Sequence, residues 1–227
     1  MIVTVTPNPS VDRTLEVPRL ARGEVLRATT ARVGAGGKGV NVARALIANG
    51  YEALAVLPLG GGDGHLLARL LADDGIPHRT VTTAAVTRSN VTISEPDGTV
   101  TKVNAPGEPL TAAELEALIE ATIAAVPGAD WLVGCGSLPE GAPIDLYAAL
   151  TERGHAAGAH VAIDTSGAAL AAAVAARPDL IKPNLAELAD LVGSLLVTVD
   201  DAIEAASQVR SAGAGAVLVS VGPRGAV

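Results

Sequence analysis

The chain of 227 residues carries 24 acidic against 16 basic side chains, a formal charge of −8, and 49% of it is apolar. That suffices for one substantial globular domain, while the acidic balance and the scarcity of aromatics (no Phe, one Trp, two Tyr) exclude both a phosphate-backbone binder and a base-stacking surface. A lone cysteine, Cys135, excludes an internal disulfide, so the class expected is a soluble cytoplasmic protein with neither nucleic-acid nor membrane partners.

In chain order, residues 2–5 read as an apolar strand with no basic leader before it. Residues 14–17 and 25–29 alternate as two short strands around an Arg22-Gly23 turn, and a helical pattern over 39–49 follows a glycine-rich stretch. A strand over 53–57 exits into Gly60, Gly61, Gly62 and Asp63 before a helix over 64–73. Residues 89–95 and 100–104 flank Pro96-Asp97-Gly98, a hairpin signal. Thr111 and Glu114 form a capping box opening a helix over 111–126, and Pro143 suits the first turn of another over 143–157. Strands over 131–135, 160–163, 180–181 and 216–221 alternate with these and with helices over 185–192 and 199–212. The alanine-rich run over 168–176 is too short to span a bilayer. Repeated βα units predict an α/β fold with a mainly parallel sheet covered by helices on both faces. The two alternating pairs predict a small antiparallel β lid built from two excursions, about 13–33 and 87–106.

The glycine-rich stretch from Val33 to Arg44 carries most of the chemistry. Gly34, Gly36, Gly37 and Gly39 surround Lys38, with Asn41 at the start of the helix. Glycine lets backbone N–H groups approach a ligand, and the helix N-terminus adds unpaired donors and a positive dipole end. With the mobile charge of Lys38, this predicts an anion site for a phosphate or phosphate ester. Gly34, Gly36 and Gly39 also match the dinucleotide spacing, but weakly, since residues 29–33 make a poor first strand and no ribose-binding acid follows at the right distance. The Walker A pattern fails, because Gly39 stands where Ser or Thr must hold magnesium.

In open α/β sheets ligands bind beyond the carboxyl ends of the strands. Here those ends lead into Asn8, Ser10 and Asp12; Gly136 and Ser137; Asp164, Thr165 and Ser166; Lys182, Asn184 and Glu187; and Ser220 and Gly222. Asp164 alone could be a helix cap. In Lys182-Pro183-Asn184-Leu185-Ala186-Glu187 the amide and the carboxylate suit either a hydrated magnesium ion beside nucleotide phosphates or a plain capping box. Cys135, in an apolar strand, reads as a buried small hydrophobe.

Four blocks together resemble the PfkB branch of the ribokinase-like carbohydrate kinases: Thr6-Pro7-Asn8-Pro9-Ser10-Val11-Asp12, the run Gly36 to Ala43, Thr87-Arg88-Ser89-Asn90-Val91, and Lys182-Pro183-Asn184 with Glu187. The resemblance implies a three-layer αβα sandwich and ATP-dependent, magnesium-assisted phosphorylation of fructose 1-phosphate to fructose 1,6-bisphosphate. Tagatose 6-phosphate and fructose 6-phosphate remain alternative substrates. It further implies that Asp12, Gly36, Gly37 and Asn41 bind sugar hydroxyls, and that Lys38, Arg88 and Lys102 face the substrate phosphate. By the same resemblance Ser137 lies in the substrate pocket and Asp164 near the transferring phosphoryl group. Lys182, Asn184 and Glu187 would serve ATP and magnesium, with Glu187 on the metal, and Ser220, Gly222 and Gly225 would begin the nucleotide site. A homodimer through the lid is implied as well.

The family's catalytic base is an aspartate in a late Gly-Ala-Gly-Asp block, and no such block occurs in these 227 residues; Gly213-Ala214-Gly215-Ala216 lacks the aspartate. The expectation is therefore an incomplete kinase domain over 1–227, short of its catalytic motif and poorly stable alone. A non-catalytic sugar-phosphate-binding module is the second reading, and a nicotinamide-dependent dehydrogenase based on the glycine triple the third.

Overall fold

The computed structural model describes all residues from 1 to 227. In chain order the elements are β1 (Ile2–Val5), β2 (Ser10–Glu16), β3 (Thr30–Gly36), α1 (Lys38–Ala48), β4 (Ala53–Leu59), α2 (Gly61–Asp73), β5 (His78–Thr82), β6 (Arg88–Ser94) and β7 (Val100–Asn104). There follow α3 (Ala112–Ile123), β8 (Trp131–Cys135), α4 (Leu146–Ala156), β9 (His160–Asp164), α5 (Gly167–Ala175), β10 (Leu180–Ile181), α6 (Leu185–Val192), α7 (Val199–Ala212), β11 (Ala216–Val217) and a 3-10 turn (Gly222–Arg224). No helix is long and apolar enough to cross a membrane.

Seven strands form one parallel sheet in the order β11-β10-β9-β8-β1-β4-β5. Apolar side chains on both faces suit it to burial between helix layers. The alternation of β4 shows the division: Ala53, Ala55, Leu57 and Leu59 join one core with Val40 and Ala43 of α1 and Leu67 and Leu71 of α2, while Val56 turns into the other. That larger core holds Leu115, Leu118 and Ile119 of α3, spaced one helical turn apart, with side chains from α4 to α7. Thr111 caps α3 as its sequence predicts, accepting from the Glu114 N–H while the Glu114 carboxylate accepts from its own.

A second sheet of four strands runs β3-β2-β6-β7 and is anchored to the smaller core by Val11 and Ala35. It is mixed rather than antiparallel as the alternation predicts. Its outer pairs are antiparallel, but β2 and β6, from separate excursions, leave the main sheet in the same direction and pair in parallel over seven residues. Residues 25–29 are not a strand. β3 begins at Thr30 and runs through Gly34 to Gly36, so two of the four glycines of the stretch lie in extended ladder instead of loop. Only Gly37, at φ 120°, separates β3 from α1. Polar composition hid β5, an edge strand in sequence His-Arg-Thr-Val-Thr. Of the strand expected over 216–221 only Ala216–Val217 is regular.

At the end of the sheet away from Gly37, Asp179 accepts the Val161 N–H at 2.7 Å, His155 Nε2 at 2.9 Å and His160 Nδ1 at 3.0 Å, and the His160 ring lies 5.1 Å from that of Trp131. Burial pushes the Asp179 carboxyl up, but the Val161 N–H and the two imidazoles outweigh it and hold the pKa at about 2, below the ordinary 3.8. A depressed carboxyl stabilises the fold above its unfolded pKa, and that contribution disappears as pH falls from 3.8 towards 2. Thermal melts between pH 7 and pH 2 should therefore show Asp179→Asn melting lower than the parent near neutrality, with the two curves converging through this acid window; a constant offset would refute the linkage.

Candidate functional site

The parallel strands deliver β1, β8, β9 and β10 to one end of the main sheet, and the second sheet overhangs that end. Between them lies a cleft of ≈ 480 Å³ with no apolar side chain in its lining. Asp12, Gly37, Lys38, Asn41, Arg88, Lys102, Ser137 and Glu187, all singled out in the sequence, line it. So do Asn8, Ser10, Asn90, Thr92, Asn104, Gly136 and Ser166.

The pairing register explains the contribution of the second sheet. Asp12 stands opposite Asn90, and Asn90 opposite Asn104; two residues along, Thr14, Thr92 and Lys102 form the next row. Side chains two apart share a face, so these rows present one polar surface. Asn90, Thr92 and Asn104 carry no signal of their own in the sequence, although Asn90 is two residues from Arg88, Thr92 two further on, and Asn104 two from Lys102.

Asp12 is held in place. Ser10 Oγ donates to Asp12 Oδ1 at 2.7 Å, and Asn90 Nδ2 donates to the same oxygen at 3.0 Å. Gly36 faces this carboxylate across the β2–β3 ladder, and a Cβ there would run into it. Arg88 donates to the Ala105 carbonyl at 2.7 Å and to the Asn8 carbonyl at 3.0 Å, while its buried Nε has no partner. Burial lowers the pKa of its guanidinium against the pull of Asp12. Asn8 in turn donates to the Pro106 and Leu138 carbonyls and to Ser137 Oγ, tying the exits of β7 and β8 together.

On the main-sheet side, α1 begins without a side-chain cap, so no side chain accepts from its first amides, and Gly37, Lys38 and Asn41 at this end line the cleft. Lys38 is not the mobile charge that its glycine surroundings suggest. Its Nζ lies 2.8 Å from Asp164 Oδ1, and Lys182 Nζ lies 3.1 Å from Asp164 Oδ2, so one carboxylate joins two ammonium groups. Burial opposes the Lys38 ammonium, but its bond to Asp164 and the charges of Asp164 and Glu187 hold its pKa above the ordinary lysine value. Cys135, behind this group, is pushed up to about 12 by burial and stays a thiol, in keeping with a packing role.

The later predicted residues divide. Asn184 and Glu187 complete a capping box, Asn184 Oδ1 accepting from the Glu187 N–H and Glu187 Oε2 from the Asn184 N–H, yet Glu187 also reaches the cleft. Lys182 joins through Asp164. Ser220, Gly222 and Gly225 do not line the cleft; Ser220 bridges to Asn184, and the turn closes as the Val221 N–H donates to the Gly225 carbonyl. No three His, Cys, Asp or Glu side chains converge as a metal cage.

The sequence pattern of the pfkB family carbohydrate kinases matches residues 6–227. The chain is 41% identical to the 1-phosphofructokinase of Rhodobacter capsulatus over 229 residues, covering all of itself and 72% of that relative. It is 37% identical to the ATP-dependent 6-phosphofructokinase isozyme 2 of Escherichia coli K12, covering 74% of it. The crystal structure of phosphofructokinase-2 from Escherichia coli in complex with fructose-6-phosphate superposes with a TM-score of 0.93 at 36% identity, over 99% of this chain and 75% of that one.

Gly36 and Gly34 provide a paired test, since both lie in β3 but only Gly36 abuts Asp12. Gly36→Ala should destabilise the chain by about 1–3 kcal/mol through overpacking, whereas Gly34→Ala, whose Cβ meets nothing, should be neutral or slightly stabilising. Chemical denaturation measures both; equal effects would show that strand propensity rather than the Asp12 contact decides.

Proposed function

This chain belongs to the pfkB family of carbohydrate kinases, and on that premise we propose that its cleft binds fructose 1-phosphate for ATP-dependent phosphorylation of the 6-hydroxyl, to fructose 1,6-bisphosphate. One observation carries the reading: in a protein of net charge −8, a cleft without a single apolar side chain gathers Lys38, Arg88 and Lys102 beside an oriented Asp12. Cations for a phosphate and fixed hydrogen-bonding groups for hydroxyls are what a sugar ester requires. The 41% identity to a 1-phosphofructokinase supports the 1-phosphate, while the 37% identity to a 6-phosphofructokinase makes fructose 6-phosphate, or tagatose 6-phosphate, the alternative.

In this reading Asp12, with Oδ1 already engaged, accepts from sugar hydroxyls through its other oxygen, and Gly36 leaves that carboxylate its room. Asn41 and the first amides of α1 add donors, with Gly37 admitting the close approach. Arg88 and Lys102 from the second sheet and Lys38 from the main one meet the ester phosphate, and Ser137 closes the pocket. Asp164 keeps Lys38 and Lys182 together beside the path of the transferred group, where phosphoryl transfer depends on positioning and charge. Lys182, Asn184, Ser220, Gly222 and Gly225 would hold ATP.

On that side the Asp164 carboxylate is taken up by two lysines, and Glu187 fits a hydrated Mg²⁺ shared with phosphates and not a protein cage. When bound, the ion would neutralise phosphate charge. Among the acids lining the cleft, Asp12 is engaged by Ser10 and Asn90, and Glu187 by its cap. Each therefore has one oxygen committed and one left for a ligand, and we assign Asp12 to the sugar, Glu187 to the metal, and these 227 residues to substrate binding and orientation. We assign assembly as a homodimer through the four-stranded sheet as a lid, which exposes Val33, Val100 and Val103, in a cytoplasmic setting.

Calorimetric titration with fructose 1-phosphate, fructose 6-phosphate, tagatose 6-phosphate and free fructose tests the reading. Fructose 1-phosphate should bind tightest and free fructose at least about tenfold more weakly, with Lys38→Met costing roughly tenfold for the esters alone, as expected for a charged hydrogen bond. Tighter binding of a 6-phosphate would overturn the assigned substrate, and an indifferent Lys38→Met would overturn the site.

A further inference from the structure

Arg44 lies in α1, one turn after Asn41, and does not line the cleft. Its guanidinium nevertheless reaches three elements. NH1 donates to Asn41 Oδ1 at 2.7 Å, and NH2 donates to the Ala35 carbonyl at 2.9 Å and to Asp74 Oδ2 at 3.1 Å. Ala35 immediately precedes the Gly36-Gly37 junction, and Asp74 is the C-cap that follows α2.

We propose that Arg44 is a positioning residue that fixes which end of the Asn41 amide faces the ligand. A guanidinium has donors only, so the partner it meets on Asn41 must be the carbonyl oxygen. The Asn41 NH₂ is thereby left for the cleft, and Asn41 reads an acceptor on the ligand, a sugar hydroxyl or ester oxygen, rather than a donor. Free rotation of an exposed amide would offer both ends, and half of the encounters would be mismatched. The bond to Ala35 gives the guanidinium a backbone anchor, so it does not drift with the amide it orients. This inference rests on the proposed sugar-phosphate reading and adds a group that decides the polarity of one contact.

A double-mutant cycle on the 227-residue chain tests it, read by calorimetry with fructose 1-phosphate. Arg44→Met should weaken binding roughly tenfold, on the scale of one hydrogen bond to a charged or fixed partner. In an Asn41→Ala background the same change should cost less than about twofold, because the amide it orients is gone. Arg44→Lys, still a donor, should recover part of the loss. Asp74→Asn, which removes only the ion pair, should stay within about twofold of the parent, as expected of an exposed pair. Additive losses in the cycle, or an Arg44→Met variant that binds like the parent, would overturn the proposal. A second readout needs no ligand: in ¹⁵N-labelled protein the Asn41 side-chain amide signals should shift on Arg44→Met and not on Asp74→Asn. An unmoved pair of signals would refute the orienting contact. Should the parent fail to bind any hexose phosphate, the proposed sugar-phosphate reading of the cleft falls, and these spectra still decide the role of Arg44.

Discussion

The site depends on one shared carboxylate. Asp164 ends β9, Lys38 begins α1 and Lys182 follows β10; sheet pairing already joins β9 to β10, and this carboxylate ties the start of α1 to both. Two ammonium groups brought this close would repel; with Asp164 between them the trio carries a single net positive charge and can form before any ligand arrives. The arrangement leaves the cleft attractive to phosphate without an uncompensated pair of cations in a half-buried position. It also fixes distances, so that little reorganisation is left for the moment of binding.

The two cores are arranged around this requirement. The larger joins the main sheet to the helices from α3 to α7 and has no role in the cleft except to hold strand ends still. The smaller lies under α1 and α2 and extends to Val11 and Ala35, so the second sheet is rooted in the same packing that supports the Lys38 amides. Gly37 is the single residue between the ladder of β3 and the first turn of α1, and both the positive φ and the contact that a Cβ would make with Thr6 Cγ2 restrict it to glycine. The family relationship and the mainly parallel architecture follow from such local requirements repeated along the chain.

Much of this was legible in the string. The alternation of apolar runs with capped helices located the main sheet, since each βα unit has a strong periodic signal and its own punctuation. Polar residues at strand exits located the cleft, because topology forces those exits to one end. The β3 strand is hard to see in the string because glycine lowers strand propensity, and only tertiary contact shows why Gly36 must be there: the Asp12 carboxylate occupies the place of its side chain. The edge strand β5 lacks a buried face and so lacks a pattern. The Lys38–Asp164 pair spans 126 residues, and no local signal encodes it. Asn90 has no signal of its own within its motif, since its place beside Asp12 comes from a parallel pairing that alternation alone does not reveal.

The parallel ladder between β2 and β6 has a mechanical corollary. Asp12, Arg88, Asn90 and Lys102 are locked in register on one plate, so their mutual spacings survive any rotation of the four strands as a body. Lys38, Ser137 and Glu187 sit on the opposite jaw, on elements of the main sheet and its helices. On the proposed sugar-phosphate reading the plate is a ruler of constant length for the pattern of oxygens on the ester, while the cleft width limits its bulk. Two kinds of selectivity are thus written into separate parts of the chain and can change independently.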